Sequence, residues 1–132
     1  MAGSGTKEDP WTLTTPPGVS EFEMHVDEYT DVLHCQVGKT WLQYRRRGLE
    51  DLYTMLKEHG DWMELGNKDE KVDTKPDTVE HWARSTENPV AGWYGLRKGY
   101  RGRFANYVTP ILKEQGRAEF EKRGRGWWVR AI

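Results

Sequence analysis

Polar and apolar residues alternate through the first third of the chain, and the period then lengthens to that of a helix. In Glu21–Val26, Phe22, Met24 and Val26 share one face, and Glu21, Glu23 and His25 share the other. That is the period-two pattern of a half-buried strand. Trp11–Thr14 reads as a short strand closed by Pro16-Pro17-Gly18. Val32–Val37 and Thr40–Tyr44 flank Gly38-Lys39 and predict a tight hairpin. Leu49, Leu52, Tyr53 and Leu56 then fall at i, i+3, i+4 and i+7, so a helix follows. Gly60 ends it at the position where a left-handed residue is favoured. Trp62–Leu65 is short and fits a strand.

Gly66–Pro76 is dominated by charged residues and predicts a solvated, mobile loop. Asp77 follows Pro76 and precedes Glu80 by three, a capping-box pattern that opens a short helix over Thr78–Arg84. Val90–Lys98 fits a helix weakened by Gly92 and Gly95. Phe104, Tyr107, Val108, Ile111 and Leu112 form a helical apolar stripe closed by Gly116. Pro110 within it either kinks one helix or starts a second, with Thr109 as cap. Ala118 and Phe120, then Trp127, Val129 and Ala131, alternate around Arg123-Gly124-Arg125-Gly126 and predict a terminal hairpin. The expected fold is α+β, with residues 1–8 a flexible end and 9–132 one domain. An N-terminal antiparallel sheet packs one helix, and C-terminal helices lead into a β-hairpin.

Charge changes this picture. Residues 1–83 hold nine Lys/Arg and seventeen Asp/Glu, whereas residues 84–132 hold eleven and four. The net charge of −1 therefore conceals an acidic body and a basic, aromatic, glycine-rich end. Such asymmetry points to an anionic partner, DNA or RNA first. Mean hydropathy is −0.92, and seven Trp supply much of the area available for a core. No apolar run reaches the ~18 residues of a membrane span, and Met1–Pro10 lacks the apolar stretch of a secretory signal. A cytoplasmic protein is expected. The single cysteine, Cys35, excludes an internal disulfide and fits a core position.

The order helix, break, helix, basic-tipped hairpin outlines a winged-helix element, with Arg103–Gln115 as recognition helix and Lys122–Arg125 as wing tip. An ordinary helical hairpin with a solvated basic face fits the same pattern. Segment 88–103 interleaves aromatics, glycines and cations in the manner of a base-stacking, phosphate-contacting surface. Candidate phosphate contacts are Arg97, Lys98, Arg101, Arg103, Lys122, Arg123 and Arg125, with Tyr100 or Trp128 stacking. An alternative is a ligand pocket lined by Trp82, Trp93, Tyr94 and Arg97. Arg45-Arg46-Arg47 fits either a phosphate contact or a balance for the acidic surface around it. Val37-Gly38-Lys39-Thr40 imitates the end of a phosphate-binding P-loop, but Leu33 stands where that loop needs glycine. The four histidines lack zinc-site spacing, so no metal and no cofactor is expected. No catalytic constellation stands out.

Asp9-Pro10-Trp11-Thr12-Leu13-Thr14-Thr15-Pro16-Pro17-Gly18, then Gly60-Asp61-Trp62, then the run from Asn88 to Phe104, together resemble a family of small uncharacterised bacterial proteins of about this length. The resemblance spans nearly the whole chain, implies a single cytoplasmic domain, and brings no catalytic residue. The functional expectations are therefore three. The first is nucleic-acid binding or regulation through the basic third. The second is an accessory protein that binds another protein or associates head to tail with itself. The third is a small-molecule binder or enzyme.

Overall fold

A computed structural model describes residues 2–132. Strands β1 (Trp11–Thr14), β2 (Glu21–Asp27), β3 (Val32–Val37) and β4 (Thr40–Arg45) form an antiparallel meander in chain order. The register sets Met24 opposite both Trp11 and Cys35, Cys35 opposite Leu42, and Leu33 opposite Tyr44. Because side chains alternate, this places Leu13, Phe22, Met24, Leu33, Cys35, Leu42 and Tyr44 on one buried face. Burial pushes the Cys35 thiol far above its ordinary range, as befits a core residue. The same register puts His25 opposite His34, His34 opposite Gln43, and Gln36 opposite Trp41 on the other face.

Helix α1 (Gly48–His59) buries Leu49, Leu52 and Leu56 and ends at Gly60, whose φ of 70° and N–H to the Leu56 carbonyl close the last turn. A Cβ on Gly48 would stand 2.9 Å from the Tyr94 ring and 3.0 Å from Phe104, so only glycine lets α1 approach this closely. Strand β5 (Met63–Glu64) joins the terminal hairpin of β6 (Ala118–Arg123) and β7 (Gly126–Ala131) in a second sheet of order β5-β7-β6. Between the sheets lie three short helices, α2 (Val79–Trp82), α3 (Phe104–Tyr107) and α4 (Thr109–Glu114). No helix among the described residues is long and apolar enough to cross a membrane.

Four local expectations are corrected. The cap of α2 is Thr78, not Asp77: its Oγ1 accepts the His81 N–H at 3.2 Å, and Glu80 turns inward instead of closing a capping box. Residues 90–98 form no helix, because Ala91 and Gly92 take positive φ and Gly95 bridges Tyr44 at the β4 edge. Pro110 does start a second helix, but the capping residue is Val108. The Thr109 hydroxyl donates back to the Ala105 carbonyl at 2.5 Å. The fourth correction concerns the loop after Gly66. Its backbone is not free: the Arg84 guanidinium donates to the carbonyls of Lys68, Asp69, Glu70 and Val72.

The winged-helix layout is not supported by the burial of its recognition segment. Phe104, Ala105 and every residue from Tyr107 through Leu112 are buried, and exposure is confined to Arg103 at the start and to Lys113, Glu114 and Gln115 at the end. Helices α3 and α4 carry core, with no polar face for a groove. Ala105 and Pro110 widen the apolar stripe, and the Thr109 hydroxyl is satisfied within the helix pair, so both helices can be buried.

Candidate nucleic-acid interface

The structure divides the basic end into cations that have internal partners and cations that do not. Arg101 pairs with Glu70 and lies over the Trp93 ring at 4.5 Å. Arg84 covers the same ring at 4.4 Å and pairs with buried Glu80 at 3.1 Å. Arg123 pairs with Glu121 at 2.6 Å and lies 4.8 Å from the centre of the Trp128 ring. Arg130 pairs with Glu119 and covers Trp62 at 4.6 Å. Arg117 meets Glu50 through two 2.8 Å bonds. The exposed pairs add little stability each, but they take up charge.

Trp128 and Trp127 are both half-buried, one against Arg123 and the other packed on the core. The β6–β7 tip keeps Lys122 and Arg125 exposed and without an ion-pair partner among the described residues. Its aromatic ring, however, is already occupied by arginine.

Arg97, Lys98 and Arg103 form the second group without an ion-pair partner among the described residues. The segment carrying them continues the first sheet: Arg45 N–H donates to Tyr94 O, and Leu96 N–H to Gln43 O, both at 2.8 Å. Beyond Leu96 the Arg97 side chain takes over the ladder and donates to the Trp41 carbonyl at 2.7 Å. Its guanidinium then lies over Tyr100 at 4.1 Å. Tyr100 and Arg103 line a small cleft of about 220 Å³ with Val37, Thr40 and Asp69, beside the Gly38-Lys39 turn. The loop is fixed from below. The Tyr44 hydroxyl donates to the Gly102 carbonyl at 2.8 Å, and Gly102 packs directly on the backbone of Asp69 and Glu70.

Next to this group is the open face of the first sheet. Trp41 is 39 % exposed and stands edge-on to His25 at 6.0 Å, and the His25 and His34 rings stack at 4.9 Å. The strand register places the Gln36 and Gln43 amides beside them. The sequence places His25 on this face, brings up His34 only among histidines without zinc-site spacing and Lys39 only in a P-loop imitation, and gives Trp41 no role. The signal was available in the hairpin register, which aligns His34 with Gln43 and Gln36 with Trp41.

Burial, the positive charge of His34 and that of Lys7 hold the His25 imidazole below its ordinary value near 6.5. A histidine whose folded value is depressed favours the neutral form. Its stabilising contribution is complete above pH 6.5 and is lost as pH falls through the folded value. Stability should therefore decline on acidification below about pH 6.5, and His25→Gln should flatten that decline. Urea midpoints measured across this range check it, and an unchanged slope in the variant would count against the assignment.

The alternative pocket does not assemble from its four residues. Tyr94 is fully buried, stacks on Trp82 at 5.0 Å and donates its hydroxyl to Asp51 at 2.8 Å. Trp93 is held between two arginines. Trp82 faces a different cleft, with Met55, Met63 and His81, and Arg97 belongs to the Trp41 surface. Among the described residues no three or more of His, Cys, Asp and Glu cluster as a metal site.

Compared with known proteins, residues 3–132 match the model of a family of unknown function (DUF6855), and the chain belongs to that family. No curated protein and no solved structure matches it.

Proposed function

We propose that the protein binds single-stranded nucleic acid across the open face of its first sheet and the adjoining 96–103 loop. The observation that carries this reading is the grouping of cations with no carboxylate partner among the described residues, Arg97, Lys98 and Arg103 with Lys39 on the neighbouring turn, beside the exposed Trp41 ring. Cations on the rim of a ring-bearing surface suit a flexible strand. Phosphates meet the cations, and unpaired bases stack on the ring. Rings on the open face of an antiparallel sheet are a general solution for single-stranded RNA. Gln36 and Gln43 supply donors and acceptors for base edges.

This narrows the sequence-based contact set. Arg101 and Arg123 serve Glu70 and Glu121, and Trp128 serves Arg123. The tip cations Lys122 and Arg125 remain free but have no open ring beside them. The same internal pairing leaves fewer charges for head-to-tail self-association.

Fluorescence anisotropy with labelled twelve-nucleotide RNA and DNA tests the proposal. The double variant R97E/K98E should lose at least tenfold in affinity, since each reversal removes one phosphate contact and adds a repulsion. R123E/R125E should stay within a few-fold of the parent. Equal losses in both variants, or no binding by the parent at low salt, would overturn the reading.

A further inference from the structure

The sequence carries three consecutive arginines that the nucleic-acid surface does not use. Arg45, Arg46 and Arg47 all line an open cleft of about 640 Å³ at the end of the first sheet. The remainder of its wall is mostly apolar: Trp11, Val26, Leu33, Leu49 and Leu96. A volume of this size is ordinary for small-molecule sites, which combine apolar walls with a few placed polar groups.

The charges at the mouth are not balanced within it. Two carboxylates line the cleft, Asp31 and Glu50. Glu50 is held by Arg117 through two hydrogen bonds, which lowers its pKa. Arg47 is held by Asp51 at 2.8 Å. Arg46 meets Asp31 only at 3.6 Å, beyond good hydrogen-bond range, and both side chains are largely exposed. Arg45 has no ion-pair partner among the described residues. Helix α1 starts at this mouth with no side-chain cap, so its first N–H groups add to the positive field. Two arginines with unspent donors thus stand over an apolar wall.

We propose that this cleft binds a small organic anion: a carboxylate or phosphate group met by Arg45 and Arg46, with an aliphatic or aromatic body against Trp11, Val26, Leu49 and Leu96. Arginine suits the head group because its planar fork can meet two oxygens at once. A neutral ligand would leave the arginines unanswered, and an inorganic anion would leave the apolar wall exposed. A second cleft shares Trp11, Val26 and Arg46 and extends along residues 4–8, so a longer body has a place to continue.

The test uses three probes on isotopically labelled full-length protein, followed by amide chemical shifts. Sodium octanoate carries both features, acetate only the charge, and octylamine only the chain with the opposite charge. Octanoate should shift the amides of residues 30–33 and 45–50 in a saturable manner, with acetate and octylamine each at least tenfold weaker. Arg45→Gln with Arg46→Gln should weaken octanoate at least tenfold while the remaining spectrum keeps its dispersion. R97E/K98E should leave octanoate binding unchanged, which separates this site from the nucleic-acid surface. Equal response to acetate would overturn the role of the apolar wall, and equal response to octylamine would overturn the role of the arginines. No saturable shift at these residues, or undiminished binding in the double glutamine variant, would overturn the site.

Discussion

Arg84→Ala should destabilise the protein by about 3–5 kcal/mol, the range for removing one partner of a buried ion pair. Glu80 is 1 % exposed, and the Arg84 side chain is only 11 % exposed. One Glu80 oxygen accepts the Ala105 N–H at 2.9 Å, and the other accepts from Arg84 at 3.1 Å. The same guanidinium serves four carbonyls of the 68–72 loop and covers Trp93. Without it, a buried carboxylate and a row of acceptors lose their donor together. Lysine should restore little, because an ammonium cannot span that set of carbonyls.

The effect also has a pH signature. Burial already holds the Glu80 carboxyl above its ordinary range, opposed by the Ala105 N–H and by Arg84. Losing Arg84 raises it further, so the variant folds more readily with Glu80 protonated. Its deficit relative to the parent should shrink as pH falls. Urea unfolding at neutral and acid pH measures both statements. Trypsin cleavage after Lys68 and Lys71 should accelerate in the variant at neutral pH. A neutral-pH deficit below about 1 kcal/mol would show that the guanidinium is dispensable.

Phe104→Ala should cost about 3–5 kcal/mol, the usual range for emptying a buried aromatic site. Phe104 is 1 % exposed and touches three other rings, with centroids 5.7 Å from Tyr44, 5.3 Å from Tyr94 and 6.1 Å from Trp82. Those rings join the first sheet, the 94–97 segment and α2, so the cavity would open where three elements meet. Gly48 gives the claim a sharper form. A Cβ there meets Tyr94 and Phe104 at about 3 Å, so Gly48→Ala is costly in the parent. In the Phe104→Ala background half of that obstruction is gone. The double variant should therefore be more stable than the sum of the single effects predicts, by about 0.5–3 kcal/mol. Strict additivity in thermal or urea unfolding would contradict this packing.

The first sheet, α1 and the terminal hairpin were legible because their patterns are local. Alternation sets β2, the Gly38-Lys39 turn fixes the β3–β4 register, and Gly60 marks the end of α1. The middle of the chain resisted for a physical reason: its structure is set by contacts from distant residues, Arg84 and the 101–103 segment. Segment 66–77 reads as solvated because its residues are charged, yet its backbone is bound by Arg84. Glu80 and Arg84 stand four apart, a spacing that announces a helical pair but not its burial.

The candidate site was half legible. The 97–103 cations were identified, but pairing with Glu70 and Glu121 depends on tertiary neighbours that composition does not reveal. Trp41 was hidden by its ordinary place in a strand. Its place in the proposed surface emerges only when Arg97 is seen bonded to its carbonyl and Tyr100 beneath that arginine.

The salt dependence of single-stranded RNA binding tests the central claim most directly. Each neutralised phosphate on a single strand contributes about −0.7 to the slope of log K against log salt. Four contacts, from Lys39, Arg97, Lys98 and Arg103, predict a slope of about −3. A slope near −5, as expected if Arg97, Lys98, Arg101, Arg103, Lys122, Arg123 and Arg125 all engaged phosphate, would contradict the division into paired and free charges. A flat response or absent binding would contradict the nucleic-acid surface altogether.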